Sequence, residues 1–220
     1  MCKLLGLSFQ EDPARFMTQY YLRHFFATFG PTEPHGWGFS FYDSANRAVL
    51  FKEPVPAPTS PSLRFLLDTR AIQSNYVIAH VRLRSIGPIV HHLTQPFVEN
   101  NTIMVHNGTL SGVSAQLDTT NESDSLYMFK GLLKIPKEPR AVMSYLKKMN
   151  HEGAMSVLIS DGTYLLAYRD KRGTRPLHYR RIKGGYLVCS LPMESKKRWK
   201  QIAPGCAMLF VNGQLVDIMS

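Results

Sequence analysis

The sequence predicts an α+β fold in which helices cover two stacked, mostly antiparallel sheets. Helical patterns cluster in the first two thirds of the 220-residue chain, and paired strand patterns dominate the rest. Asp161-Gly162 and Asn212-Gly213 each separate two apolar runs, which is typical of tight antiparallel hairpins. Roughly ten strand-like runs are too many for one short sheet, so two sheets packed face to face are expected.

The strand predictions follow the apolar runs in chain order. Residues 1–8 form a short apolar strand, and the next two runs flank a turn near residues 44–46, which predicts a hairpin. The run YVIAHVRL is almost continuously apolar, as expected of a central strand that is covered on both faces. The predicted strands are residues 1–8, 36–43, 48–54, 76–83, 102–108, 154–160, 164–170, 185–191, 207–211 and 215–219.

Four amphipathic stretches predict helices. Asp12 can cap the start of the first, Pro13 suits its first turn, and Gly30-Pro31 ends it. The predicted helices cover residues 12–29, 60–73, 123–134 and 138–150. The Pro-rich segment 53–61 is predicted to be a surface loop, because it is short and both flanks still need partners. Without an internal repeat or a boundary, residues 1–220 are predicted to form a single domain.

Composition narrows the class of protein. Apolar residues make up 44% and charged residues 19% of the chain, an ordinary globular mixture. No apolar run is long enough for a membrane span, and the run after Lys3 is too short for a signal peptide. A cytoplasmic protein without a membrane partner is therefore expected. Three cysteines show neither disulfide nor metal spacing, so Cys189 and Cys206 are expected to be small buried side chains.

The net charge of +10 raises the question of an acidic partner. The densest basic cluster, residues 196–200, includes Trp199 and is interpreted as a solvated loop or edge. No zinc-finger, helix-turn-helix or RNA-recognition pattern supports a nucleic-acid site. A non-catalytic protein that binds nucleic acid or an acidic partner through residues 196–200 stays open as an alternative.

Cys2 directly follows the initiator methionine. Removal of Met1 would place a free amine, with a pKa of about 7.7–8.0, beside a thiol, with a pKa of about 8.5. An N-terminal cysteine then carries its own general base, as in N-terminal nucleophile enzymes. Alone the signal is weak, because a cysteine at position 2 can also be an ordinary strand residue.

Three further motifs supply groups that could bind a small substrate. Arg82 ends an apolar strand, and its guanidinium group fits a carboxylate. Asn107 and the backbone amide of Gly108 could donate hydrogen bonds to a developing oxyanion. Asp124 stands where a helix begins and could accept an ammonium group. The structural alternatives are a surface arginine, an Asn-Gly turn and a helix cap.

Together these groups fit an amino acid with an acyl group in its side chain, such as glutamine. In order and coverage the motifs resemble the class II glutamine amidotransferases, the family with an N-terminal cysteine nucleophile. The chain looks closest to small stand-alone members that open with MC-x-L-L-G and carry GWG and AH-[VI]-R. The matching segments are Met1-Cys2, HGWGFSFY (35–42), AHVR (79–82), QPF (95–97), HNGTL (106–110), SDS (123–125) and RDKRGTRPL (169–177).

The resemblance implies a role for each matching residue. Cys2 would be the nucleophile, with Asn107 and Gly108 forming the oxyanion hole. Arg82 would hold the α-carboxylate of the substrate and Asp124 its α-ammonium group. The resemblance also implies a four-layer αββα sandwich, which agrees with the two stacked sheets expected from the strand patterns.

Ser85 stands where many relatives have a threonine near the substrate, a weaker match. Two positions depart from the sugar-phosphate synthases of the family, which have tryptophan at the position of Leu83 and histidine at that of Ile86. Those residues help to close and couple the glutamine site there, and this chain has neither of them. The histidines of the motifs are interpreted as structural, because their spacing matches no familiar zinc pattern and a terminal amine makes a histidine base unnecessary.

The predicted reaction is cleavage of the side-chain amide of glutamine, or of a γ-glutamyl compound, through a thioester on Cys2. No metal or cofactor is predicted. Two forms of this activity stay open, and both use the same residues. The chain could be a glutaminase subunit that delivers ammonia to a separate synthase partner, or a free-standing γ-glutamyl peptide or amide hydrolase.

Overall fold

Thirteen strands and five α-helices form the regular structure of the computed structural model, which describes residues 1–10, 14–69, 72–194 and 198–220. The strands β1–β13 are Lys3–Phe9, Trp37–Tyr42, Ala48–Glu53, Tyr76–Val81, Phe97–Glu99, Thr102–Thr109, Ala154–Ser160, Leu165–Arg169, His178–Ile182, Gly185–Cys189, Lys200–Gln201, Ala207–Val211 and Gln214–Met219. The helices α1–α5 are Ala14–Phe29, Pro61–Thr69, Ser111–Ser114, Asp124–Leu132 and Pro139–Met149. Short 3₁₀ helices cover Gly30–Thr32, Ala57–Thr59 and His91–Leu93.

The strands form two antiparallel sheets. The first sheet has the order β11-β9-β10-β1-β4-β2-β3, and the second has the order β13-β12-β8-β7-β6-β5. The strand β4 lies between β1 and β2, with Val81 opposite both Lys3 and Trp37. The central position expected for the run YVIAHVRL is therefore confirmed.

Alternation along β1 shows how the layers stack. Leu5, Leu7 and Phe9 lie in the apolar cluster formed with α1 and α2, whereas Leu4 lies in the cluster between the sheets. A side chain at Gly6 would approach Leu158 of the second sheet to 3.1 Å, so glycine allows the sheets to come close here. Side chains of a strand alternate between its two faces, so even-numbered residues of β1 face the second sheet.

The outer layers are helical on both sides. Helices α1 and α2 cover the first sheet, and α3, α4 and α5 cover the second. A third apolar cluster, made only by strand residues and their connections, fills the space between the sheets. The predicted four-layer αββα sandwich is confirmed.

The tight turns follow the sequence prediction. The hairpins β7–β8 and β12–β13 form as expected, with Gly162 at φ +91° and Gly213 at φ +71°. The sequence analysis missed β5, β9, β11 and α3, which have between two and five residues each. Elements this short give little periodicity in the sequence, and their formation depends on neighbours that are distant along the chain.

One helix end and one loop differ from the prediction, and one predicted helix start is not tested. The proposed cap Asp12-Pro13 lies outside the described residues, and α2 ends at Thr69, with residues 70–71 of its predicted extension also outside them. The segment 53–61 is not simply a surface loop, because Ala57 and Ser60 are buried and Ala57 packs in the cluster beneath α1.

The remaining sequence expectations concern cysteines and charge. Cys189 is fully buried, as expected, but Cys206 is only half-buried, because it immediately precedes β12.

In the basic cluster, Lys196 and Lys197 lie outside the described residues, and Arg180 stacks its guanidinium group 5.3 Å from the ring of Trp199. No helix within the described part of the chain is long and apolar enough to cross a bilayer.

Replacement of Leu158 by alanine should destabilise the fold, because Leu158 is fully buried between the sheets opposite Gly6. We expect the free energy of unfolding in urea to fall by about 2–5 kcal/mol, as for other buried leucines. Leu191→Ala is the matched control, because Leu191 is exposed, and it should change stability by about 0.5 kcal/mol or less. Equal effects at the two positions would contradict the packing described here.

Candidate active site

Cys2 and Arg82 are brought together by the pairing of β1 with β4. Lys3 of β1 lies opposite Val81 of β4. Cys2, which precedes Lys3, and Arg82, which follows Val81, are therefore neighbours. The thiol of Cys2 accepts a hydrogen bond from the Leu83 amide at 3.3 Å and donates one to the Leu83 carbonyl at 3.4 Å. Side chains alternate between the two faces of a strand, so the side chains of Cys2 and Arg82 both face the layer between the sheets.

Asn107 reaches the same layer from the second sheet. Ile103 and Val105 of β6 lie in the cluster between the sheets, and Asn107 continues that alternation. The hydroxyl of Tyr42 donates to the carbonyl of Asn101 at 3.2 Å, which places the start of β6 near the start of β4. Arg82 follows the other end of β4 and Asn107 lies near the other end of β6, so both residues lie at the same end of the sandwich. Asn107 is 4% exposed, and its side chain makes no hydrogen bond within the described residues.

The amide of Gly108 points to the open edge of β6. Gly108 is paired with Met155, whose amide and carbonyl bond to Asp170 at 2.8 and 3.0 Å and so point away from β6. Two residues earlier, the amide of His106 donates to the side chain of Gln95 at 2.6 Å, not to β7. Amides two residues apart in a strand point to the same side. The N–H of Gly108 is therefore directed toward the open edge and can donate to a ligand.

Asp124 is buried at the start of α4. Ser123, not Asp124, caps the helix, because its hydroxyl accepts a hydrogen bond from the amide of Leu126 at 3.2 Å. The Asp124 carboxylate accepts from the amide of Leu110 at 2.8 Å and from that of Ser125 at 2.9 Å. Leu110 follows β6 directly, so these bonds fix the carboxylate beside the end of the strand that carries Asn107 and Gly108.

The guanidinium group of Arg82 is only partly satisfied. Arg82 is 4% exposed; its Nη2 donates to the Ile86 carbonyl at 3.3 Å, whereas Nη1 has no partner within the described residues. Burial lowers the pKa of Arg82, and the charges of Cys2 and Asp124 oppose that shift. The group stays a cation and has a free donor for an anionic ligand.

The thiol of Cys2 is a weak nucleophile as it stands. Burial raises its pKa, and the charge of Glu33 adds to the increase, while the Leu83 amide, the terminal amine and Arg82 oppose it. A protonated thiol needs a base before it can attack.

A buried carboxylate lies at the N-terminus. Glu33 is 3% exposed and accepts from the terminal ammonium group of Met1 at 3.3 Å and from the ammonium group of Lys3. Lys3 also donates to the carbonyl of Met1. These contacts hold the first residues of the chain at the end of the sandwich where Cys2 and Arg82 meet.

The histidines lie in or behind this region. His80 is fully buried between Leu4 and Gly38 on the neighbouring strands, and burial lowers its pKa to about 3. His106 bonds to the hydroxyl of Ser125 at 2.7 Å, and burial lowers its pKa as well. Among the described residues, no group of three or more His, Cys, Asp or Glu side chains is placed to hold a metal ion.

Ser85 lies apart from this cluster. It is exposed and lines an open hollow with Arg84, Thr119 and Thr120. Within the described residues its hydroxyl bonds to none of the other candidate residues. The structure therefore brings together Cys2, Arg82, Asn107, Gly108 and Asp124, but it does not bring Ser85 into contact with them.

The model of the family "Glutamine amidotransferases class-II" matches residues 1–184, more than four fifths of the chain. The chain belongs to this family. It is accordingly an enzyme of the N-terminal nucleophile amidotransferase type, and the resemblance noted in the sequence is confirmed.

Two curated relatives align along nearly the whole chain. The uncharacterized protein MJ1515 of Methanocaldococcus jannaschii is 30% identical over 258 residues, covering 98% of this chain and 71% of MJ1515. YafJ of Escherichia coli is 29% identical over 262 residues, covering 98% of this chain and 100% of YafJ.

A solved amidotransferase shares the fold. Glutamine phosphoribosylpyrophosphate amidotransferase from B. subtilis superposes with a TM-score of 0.71 at 18% identity, over 96% of this chain. The match covers 47% of that protein, so the chain spans about half the length of the solved relative. At this identity the likeness concerns the fold.

Sequence reasoning missed the residues that hold the candidate site in place. Gln95 lies in the quoted QPF motif, but only the fold shows that its amide pairs with the backbone of His106 in place of a strand. Glu33 is close to the HGWG motif, yet its partners are 30 or more residues away along the chain.

Gly108→Ala should distort the edge that carries the proposed amide donor. An added methyl group would overlap the Ala154 carbonyl and lie 2.6 Å from Nε2 of His106. We expect a loss of about 1–3 kcal/mol in the free energy of unfolding in urea, because backbone must move.

Gly112→Ala is the matched control, since its new methyl group would meet only the end of the flexible Glu152 side chain. We expect this control to remain near wild-type stability. A similar loss at both glycines would contradict the close approach of β6 and β7 at Gly108.

Proposed function

We propose that this enzyme hydrolyses the side-chain amide of glutamine, or of a γ-glutamyl compound, through a thioester on Cys2. One observation carries the proposal: Cys2 and Arg82 from one sheet and Asn107 from the other face the same buried end of the sandwich, beside Asp124. A sulfur nucleophile, a cation, an amide donor and a carboxylate are the groups needed to bind and cleave such a substrate.

The first step requires Met1 to be removed. The α-amine of Cys2 then takes the thiol proton, and the sulfur attacks the γ-carbonyl carbon of the substrate. When the tetrahedral intermediate collapses, the C–N bond breaks and the leaving amine takes the proton held by the α-ammonium group. Water next attacks the thioester and gives a proton to the α-amine. The C–S bond breaks, glutamate leaves, and the thiol regains its proton.

The oxyanion is stabilised by two donors from β6. The amide of Gly108 points to the open edge, and the side chain of Asn107 has no other hydrogen bond within the described residues. Donors that are already oriented stabilise the transition state without reorganisation, by about 2.7–4 kcal/mol for one donor.

The head group of the substrate binds to the two buried charges. Nη1 of Arg82 is free for the α-carboxylate. Oδ1 of Asp124 accepts from the amide and the hydroxyl of Ser125, whereas Oδ2 accepts from the amide of Leu110 and keeps a further lone pair for the α-ammonium group. Ser85 enters this proposal only as a residue at the rim, because it is exposed.

Both forms of the activity use these residues. In one, ammonia passes to a separate synthase subunit; in the other, the amine is released to water. Cytoplasmic location and the absence of a nucleic-acid partner stay predictions. A non-catalytic binding protein is not favoured, because the family is one of enzymes.

Cys2→Ala should abolish glutamate release from glutamine and from a panel of γ-glutamyl amides, because the nucleophile is lost. The N-terminal mass of the active wild-type protein should show that Met1 is absent. Cys206→Ala is the control, since Cys206 is a half-buried thiol beside another strand, and it should keep activity. Retained hydrolysis in Cys2→Ala, or full activity of a chain that still carries Met1, would refute the proposal.

Arg82→Gln should raise KM for glutamine roughly 10-fold or more, because a hydrogen bond to a charged group contributes about 1.5–3 kcal/mol. The exposed Arg64 offers the same substitution as a control and should leave KM unchanged. Steady-state kinetics with glutamine measures both. An unchanged KM in Arg82→Gln would remove Arg82 from the proposed substrate site.

A further inference from the structure

The proposed mechanism does not use the buried charge of Glu33, which lies beside the N-terminus. The Glu33 carboxylate lies just after the short helix Gly30–Thr32 and is 3% exposed. Its partners in the structure are two cations, the terminal ammonium group of Met1 and the side chain of Lys3. Burying a carboxylate is costly unless it is paired, so these two cations stabilise Glu33 in its buried position.

Removal of Met1 changes this cluster. Three backbone bonds separate the nitrogen of Met1 from that of Cys2, which limits their distance to about 3.7 Å. Glu33 Oε2 lies 3.3 Å from the nitrogen of Met1, and so within about 7 Å of the nitrogen of Cys2. When Met1 leaves, this oxygen loses a partner, and a new ammonium group arises on Cys2 in the space that Met1 has vacated.

We propose that Glu33 binds the α-ammonium group of Cys2 in the processed chain and, together with Lys3, sets the pH at which this amine becomes a base. The inference rests on the proposed function, in which Cys2 is the terminal nucleophile. Glu33 is a positioning residue here, because it acts through the amine and not on the substrate.

The charges around the amine determine the direction of each effect. Glu33 approaches from the loop before β2 and favours the ammonium form. Lys3 from β1 and Arg82 from β4 favour the neutral amine, because they repel a positive charge. The thiol of Cys2 is the nearest other titratable group, and His35 uses Nδ1 to accept a hydrogen bond from the amide of Arg84 at 2.9 Å.

Glu33→Gln and Lys3→Gln remove charges of opposite sign, so they should move the pH dependence of kcat/KM in opposite directions. The base must be neutral, so kcat/KM for glutamine falls on the acid side as the amine becomes protonated. Glu33→Gln removes the group that stabilises the ammonium form, and the acid limb should move down by roughly 1 pH unit. Lys3→Gln removes a repelling charge and leaves Glu33 to the amine, so the acid limb should move up.

The proteins for this experiment are prepared with Cys2 as the first residue and checked by mass. Glu194→Gln is the control, because Glu194 pairs with Arg180 at 2.6 Å and should leave the acid limb in place when it is replaced. A purely structural role of Glu33 would lower activity without moving the limb. If Glu33→Gln does not fold, Lys3→Gln still has to shift the limb upward, and an unchanged or downward limb overturns the inference.

A second measurement does not depend on turnover. In a Cys2→Ser background the terminal residue keeps its amine but lacks a thiol. The rate at which cyanate carbamylates this amine, followed on the N-terminal peptide by mass spectrometry, reports the fraction of neutral amine at each pH. Glu33→Gln should lower the pH of half-maximal rate, and Lys3→Gln should raise it.

The two measurements separate the two proposals. Wild-type protein that does not release glutamate, combined with carbamylation shifts in the expected directions, would refute the proposed function and support the position of Glu33. Active wild-type protein whose acid limb and carbamylation profile are both unchanged in Glu33→Gln would overturn this inference alone.

Discussion

The face-to-face packing of two antiparallel sheets determines which side chains of this enzyme can meet. Because side chains alternate along a strand, the residues that fill the layer between the sheets also decide which residues reach its end. Leu4 in β1 and Val105 in β6 pack between the sheets, so Cys2 and Asn107, two residues away on each strand, face each other's sheet. A shift of β1 by one residue would turn Cys2 toward α1. The apolar core thus sets the register on which the proposed chemistry depends.

The pairing of backbone groups at the end of the second sheet leaves the amide of Gly108 directed away from β7, where a ligand can reach it. The side chain of Gln95 pairs with the backbone of His106, and Asp170 pairs with that of Met155. The side chain of Gln95 takes the place of a strand partner beside β6, whereas Asp170 extends the pairing of β7 through both its backbone amide and its carboxylate. The amide of Gly108 lies between the contacts of Gln95 and those of Asp170, and it faces the open edge of β6. Gly108 is half-buried, and a backbone donor that is shielded from water favours a partner, so this position is suited to an anionic atom of a ligand.

Much of this arrangement follows from local patterns, and the rest does not. Asn212-Gly213 specified its hairpin because only certain residues tolerate that turn, and Arg82 could be placed at a sheet end because it closes an apolar run. The sequence could not predict the contacts of Gln95 or Glu33, since their partners are distant along the chain and both are single polar residues without a pattern. Ser85 was inferred from resemblance only, and the fold leaves it exposed.

The base in the proposed mechanism can be argued from the surroundings of the thiol. Burial raises the pKa of Cys2, so the sulfur must lose its proton to a neighbour. His80 is a poor acceptor because burial lowers its pKa to about 3, and His106 has its Nδ1 bonded to Ser125 on the helix side of β6. Arg82 is a cation. The α-amine that removal of Met1 would generate lies on the same residue as the thiol, and its ordinary pKa of about 7.7–8.0 suits proton transfer near neutral pH. A half-buried thiol that needs a base, next to a carboxylate able to hold the terminal amine, makes N-terminal processing the step that would switch on this site.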